Sequence, residues 1–325
     1  MQVDARSDVE ADEVSLRSQP SAGVTSTPVS LVSADGVHLH LDHLTPAKPA
    51  GAAVLITPAM GAPARAYGKL GEGLATMGHA IGILDFRGGG RSGARPSRAE
   101  NFGVREFLDQ DLCAAVNWMR GEYPERKLIL LGHSFGGQLN SAFFAGKNAC
   151  SVDALINICA VWIHFRALGG VDRQLKAFLF YVLMRALAET LGYAPGDRLG
   201  WGARFARQHI RDWSNWGLVG RYAYRGGDAR ALLGSVTQPT LSISFTDDKT
   251  LGPEPACDRF CEVMASAPIT RWKLAPEDIA KSSVGHFGML KNVDVFCSKL
   301  DQWVRKHVFT DSHAPDRSIQ HDQGA

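Results

Sequence analysis

The chain has 325 residues, 45% of them hydrophobic and 21% charged, with 34 glycines and 15 prolines. That length suits one large α/β domain with an insertion or two ordinary domains, and the near-average composition excludes a coiled coil, a collagen-like chain or a wholly disordered one. Lys+Arg number 35 and Asp+Glu 33, a net charge of +2; no basic block is long enough to track phosphates, so nucleic acid is excluded as a partner.

Residues 1–27 are polar and read as a flexible extension, and the opening residues are acidic where a signal peptide is basic. Val29-Ser-Leu-Val-Ser33 and Val37-His-Leu-His-Leu41 alternate around Ala34-Asp35-Gly36, a hairpin signal. Short apolar runs follow at 52–57, 80–86, 127–131, 154–160, 240–245 and 269–274. Stretches with apolar residues three and four apart, at 65–77, 104–119, 253–264 and 293–304, predict helices between most of them. Strands that are apolar throughout, alternating with helices, predict an α/β fold with a mostly parallel central sheet. Helices cover both faces, and an antiparallel N-terminal hairpin leads in. The pattern assigns 28–160 and 235–308 to this core and 309–325 to a flexible tail.

Residues 161–234 break the pattern. They show no strand signal, hold Trp162, Trp201, Trp213 and Trp216, and carry an amphipathic run from Gln174 to Leu191. The expectation is a helical cap emerging at the sheet's edge. Trp162, Phe165, Phe178, Phe180 and Tyr181 are its candidate substrate contacts, set against the plainer reading of aromatic core packing. The most apolar run, Ala177–Met184, ends at Arg185, short of the roughly 20 residues of a spanning helix, so no integral membrane segment is expected. An amphipathic helix more often packs on its own protein than on lipid. The six cysteines (Cys113, Cys150, Cys159, Cys257, Cys261, Cys297) form no C-x-x-C pair and accompany no zinc-spaced histidines. They read as buried thiols in a reducing compartment, which makes the protein cytoplasmic.

Chemistry concentrates at Leu128-Ile-Leu-Leu-Gly132-His133-Ser134-Phe135-Gly136-Gly137, where a strand runs through G-x-S-x-G into a helix-like segment. In such a nucleophile elbow the serine sits on a strained turn with Oγ exposed, and small neighbours avoid colliding with nearby backbone. A serine needs a base, and the base an orienter, in the order Ser, Asp/Glu, His. Thr246-Asp247-Asp248-Lys249 follows the 240–245 strand, and His286 lies in the glycine-flanked Ser283–Gly288 loop before the last helix. Asp248 is the favoured acid; Asp247 then caps the turn or faces water. Gly88–Gly93 fits G-x-G-x-x-G, but no helix opens at its third glycine and the acid about 20 residues on, Asp109, is not at a strand end. A dinucleotide site is rejected on that context. Asp85 and Arg87 read as braces of their loop, Asp111 as a surface or loop-tethering charge, Cys257 and Cys261 as core thiols. His133 is expected to point away from the nucleophile.

These residues resemble the α/β-hydrolase superfamily over roughly residues 28–308. Asp85-Phe-Arg-Gly88-Gly-Gly90-Arg-Ser92 is similar to the superfamily's loop after its fourth strand, and the elbow, the Asp248 turn and the Gly285-His286-Phe-Gly loop follow in its order. The texture is similar to the serine aminopeptidase-like branch. The resemblance implies a Ser134–His286–Asp248 triad and an oxyanion hole from the backbone N–H groups of Phe135 and Met60, without metal or other cofactor. The Met60 loop reads Thr57-Pro-Ala-Met-Gly61 where many relatives have His-Gly before the donor. The expected activity is hydrolysis of a small or medium apolar ester through an acyl-enzyme. Amidase, peptidase, acyltransferase and non-catalytic binding are the alternatives.

Overall fold

The computed structural model describes residues 23–145, 152–224 and 227–309. The expected extension up to residue 22, the tail from 310 and Cys150 lie outside the described residues. β1 (Val24–Val32) and β2 (His38–Pro46) pair antiparallel as expected. β1 begins within the segment expected to be an extension, because Val24-Thr-Ser-Thr27 finds partners in His43–Pro46. The chain then forms β3 (Ala53–Thr57), α1 (Gly68–Thr76) and β4 (Ala80–Leu84). α2 (Val104–Glu106) runs through a π-helical turn (Phe107–Leu112) into α3 (Cys113–Glu122). β5 (Leu128–His133), α4 (Phe135–Phe144) and β6 (Ala154–Ile158) follow.

After β6 come α5 (Val171–Leu191), β7 (Tyr193–Ala194) paired with β8 (Phe205–Ala206), and α6 (Arg207–Val219). β9 (Ala223–Tyr224), β10 (Gly227–Asp228) and α7 (Ala229–Leu233) lead back. β11 (Thr240–Phe245), α8 (Glu254–Val263), β12 (Ile269–Leu274) and α9 (Asp294–His307) complete the described chain. The four short strands of the insertion were not expected; two-residue ladders leave no periodic pattern to read.

The main sheet has the order β1-β2-β4-β3-β5-β6-β11-β12. β2 is antiparallel to both neighbours, and every pairing beyond β4 is parallel. β3 to β6 and β11 are buried at every position, as strands covered on both faces must be. Leu55, Leu130 and Leu155, in register across three strands, face Val116, Met119, Leu139 and Phe143 of α3 and α4. Val54, Ile56, Ile129, Leu131 and Ile156 face the other way, onto Leu70 and Leu74 of α1 and Phe296, Leu300 and Trp303 of α9. Each such side chain, fully buried, contributes about 1.5–3 kcal/mol.

β6 and β11 are direct neighbours. Residues 161–234 therefore leave from the carboxyl end of an interior strand, β6, and lead to the amino end of β11, which corrects the expected departure at the sheet's edge. α5 packs Tyr181, Met184 and Ala188 against α6 and leaves Val171, Leu175, Leu179 and Leu183 more than half exposed on its other side. No helix among the described residues is long and apolar enough to cross a membrane. Cys159, Cys257, Cys261 and Cys297 are buried free thiols and Cys113 is half-buried.

Candidate active site

Ser134 joins β5 to α4 at φ +53, ψ −115, a conformation that few non-glycine residues adopt and that costs about 1–3 kcal/mol. Three hydrogen bonds hold it there. Its N–H donates to the Ile158 carbonyl (2.7 Å), and its own carbonyl accepts from the N–H groups of Gly137 (3.1 Å) and Gln138 (3.2 Å). The flanking glycines are required by contact. A Cβ on Gly132 would lie 2.4 Å from Gly137 Cα, and one on Gly136 would lie 2.3 Å from the Thr57 carbonyl oxygen. The start of α4 thus abuts the end of β3, where Ala59, Met60 and Gly61 turn.

Phe135 is the first residue of α4, so its N–H has no intrahelical acceptor. The Ala59 N–H donates to the Tyr67 hydroxyl (2.8 Å), and Met60 follows at the head of the turn. Tyr67 lies 2.7 Å from His133 Nδ1 and ties this turn to the residue before the nucleophile. Burial raises the Tyr67 phenol and holds His133, with the charge of His286 adding to the effect, well below the usual histidine range. His133 is therefore a neutral strut. Its ring does not simply turn away, as expected, but packs against the His286 ring with centroids 4.7 Å apart.

The other two residues arrive from the next strands. His286 Nδ1 lies 2.6 Å from Asp248 Oδ2, and both side chains are buried. Burial works against the Asp248 charge, but the His286 hydrogen bond and charge, with the backbone N–H groups of Gly252 and Leu251, hold the carboxyl below its ordinary value. Asp247 does something else. Its Oδ2 accepts from the N–H of Val284 (2.8 Å), the N–H of Gly285 (3.0 Å) and the Ser283 hydroxyl (3.1 Å), pinning the loop that carries His286. Adjacent aspartates thus split the work: one holds the ring, the other its backbone. The sequence reading favoured Asp248 and missed this loop contact, for which the sequence carries no signal.

The Asp85 loop is a brace. Asp85 accepts from the N–H groups of Ala64 (2.6 Å) and Arg91 (2.9 Å). Arg87 Nε donates to Asp111 (2.7 Å) and its guanidinium to Asp35. Asp111 is a fully buried tether, not a surface charge; burial pushes it up to about 7 against the pull of Arg87. Residues 88–93 stay in turns and open no helix.

The aromatic candidates divide. Trp162 is buried and stacked on Tyr222 (4.4 Å), and Tyr181 is buried with its hydroxyl donating to the Ile163 carbonyl (2.7 Å), so both are core residues. This corrects their assignment as substrate contacts; their hydrophobic bodies are consumed by packing. Phe165 is half-buried and meets the partly exposed Phe178 edge-on (5.6 Å). Phe135 packs against Phe107, Trp216 and a residue without a sequence signal, His209 of α6, stacked at 4.9 Å and driven by burial down to about 3. Among the described residues, ligand atoms of Cys159, Asp248 and His286 come close enough to be considered for a metal, within 4.8 Å of one another. Two of these three groups, His286 and Asp248, are already hydrogen-bonded to each other (2.6 Å).

Residues 48–192 match the family described as serine aminopeptidase, S33. A stretch of 110 residues is 30% identical to the monoglyceride lipase of Rattus norvegicus, covering 34% of this chain and 35% of that protein. An α/β hydrolase from Penicillium sp. sh18 superposes with a TM-score of 0.60 at 17% identity, over 88% of this chain and 99% of that one. Est1E from Butyrivibrio proteoclasticus, solved with ferulic acid bound, gives 0.60 at 15% identity, over 86% and 100%. The structural likenesses, with the strand order, show an α/β-hydrolase fold, and residues 48–192 are similar to the serine aminopeptidase family.

Proposed function

We propose that the protein is a serine hydrolase acting on carboxylic esters with a small or medium apolar acyl or aromatic group. The observation that carries this reading is the strained Ser134 at the end of β5 together with a buried Asp248–His286 pair, supplied from beyond β11 and β12, whose ring packs on His133, the residue before Ser134. His286 takes the Ser134 proton as Oγ attacks the carbonyl carbon, while Asp248 holds Nδ1–H and stabilises the imidazolium. The backbone N–H groups of Phe135 and Met60 receive the oxyanion, an effect of about 3–4 kcal/mol per donor. His286 then protonates the departing alcohol, leaving an acyl group on Ser134. Water, deprotonated by His286, attacks that acyl-enzyme and releases the acid.

Residues 161–234 act as a cap over these strand ends, and the aromatic surroundings of Phe135, with His209 neutral among them, favour apolar groups over charged ones. The relatives support esters: one is named a monoglyceride lipase, another was solved with ferulic acid. The serine aminopeptidase description favours amide hydrolysis as the second reading. A fluorophosphonate probe, read by intact mass, tests the nucleophile: one adduct on the wild type and none on Ser134→Ala. No adduct on the folded wild type would overturn the hydrolase reading and leave a binding protein. Parallel assays with 4-nitrophenyl esters and 4-nitroanilides separate ester from amide.

A further inference from the structure

The Asp248–His286 pair has a third buried neighbour. Cys159 follows β6 directly, and its Sγ lies within 4.8 Å of the facing ligand atoms of Asp248 and His286. Its backbone is at φ +49, the left-handed region that non-glycine residues rarely enter. The turn is held by the Cys159 N–H, which donates to the Ile243 carbonyl (2.8 Å) and carries the β6–β11 pairing one step past Ile158. Gly252 closes the slot from the other side. A Cβ there would lie 2.4 Å from Asp248 Oδ2 and 2.8 Å from Cys159 Cβ, so no side chain at 252 fits beside carboxylate and cysteine.

We propose that Cys159 is a positioning residue for the acid–base pair, its thiol donating to the Asp248 carboxylate so that Oδ2 stays aligned on His286 Nδ1. The inference rests on the hydrolase reading above. A carboxylate offers about four acceptor directions. The Leu251 N–H takes one on Oδ1 (3.1 Å) and His286 one on Oδ2 (2.6 Å), with the Gly252 N–H as a further donor. The thiol occupies a remaining direction and resists rotation of the group. Burial keeps it protonated, and the neighbouring Cys257 and Asp248 push the same way, so it serves as a donor and not as a nucleophile. The other titratable groups facing the pair are His133 and Cys257; burial holds the first neutral and the second protonated. The acidic limb of the rate profile therefore reports the pair itself.

The test compares the full-length wild type, Cys159→Ala and Cys159→Ser, following kcat and KM against pH on a short-chain 4-nitrophenyl ester. For Cys159→Ala we expect kcat about tenfold lower at unchanged KM, with the acidic limb moved to higher pH because the less-satisfied carboxylate raises the basicity of its imidazole. Cys159→Ser, which keeps a donor, should return both to within about twofold of the wild type. An unaltered Cys159→Ala profile, or equal losses in both variants with the limb unmoved, overturns the proposal. Proton NMR of His286 Nδ1–H reads the pair without turnover: the downfield resonance should move in Cys159→Ala and return in Cys159→Ser. That signal decides the role of Cys159 even where an absent phosphonate adduct has overturned the hydrolase reading.

Discussion

At the scale of single residues, the site turns on the different work of Asp247 and Asp248. Asp248 meets the histidine ring; Asp247 meets the backbone on which the ring stands. Asp248→Asn should lower kcat by roughly 10³–10⁴-fold, because the amide presents the wrong partner to Nδ1. Asp247→Asn keeps an acceptor for the loop and should cost no more than about tenfold, chiefly through a looser loop. Steady-state kinetics of the two variants check the ranking, and the reverse order would move the acid back by one residue. Ser134 and His286 were legible in the sequence because each sits in a glycine-flanked motif. Cys159 and His209 were not, since their importance comes from neighbours more than 70 residues away, Asp248 and Phe135.

Among the elements, β5–Ser134–α4 is the one whose sequence and geometry agree most closely. Gly136→Ala should abolish activity and lower the melting temperature, as its Cβ would collide with backbone at the end of β3. Gly121, on α3, faces open space. Gly121→Ala should raise stability by about 0.5–1 kcal/mol, which denaturant unfolding will show. α5 supplies a second contrast. Met184, on the packed side, is fully buried, whereas Leu175 and Leu179 are more than half exposed. Met184→Ala should cost about 2–5 kcal/mol, while Leu175→Lys with Leu179→Lys should stay within about 0.5 kcal/mol each. The strands were readable from their continuous apolar runs, and the four large helices from three-and-four spacing. Within 161–234 the amphipathic run 174–191 was legible as α5, whereas the two-residue strands, too short for any period, were not.

For the whole molecule, several histidines are held neutral by burial. His79, His133 and His209 all titrate below the ordinary value, His209 at about 3. The unfolded chain takes up protons below about pH 6.5 while the folded one does not, so stability is full above that pH and falls as pH drops. Each such histidine contributes a slope of at most about 1.4 kcal/mol per pH unit. Urea midpoints between pH 7.5 and 4.5 should decline, and His209→Phe should flatten the decline. The carboxylates join later: Asp35, held at about 2 by Arg87, destabilises the fold only as pH falls below about 4.

The pairing of β6 with β11 has a consequence for how this architecture can vary. The chain leaves the sheet at Ile158, the carboxyl end of β6, and re-enters at Thr240, the amino end of the parallel β11, where Thr240 pairs with Leu155, so whatever lies between must carry the chain back along the strands. Doubling the length of such a detour adds only about 0.6 kcal/mol of closure entropy. The span from 160 to 235 can thus change in length at small entropic cost, provided it still makes that return crossing. The strand ends that present Ser134, Asp248 and His286 stay in place beneath it.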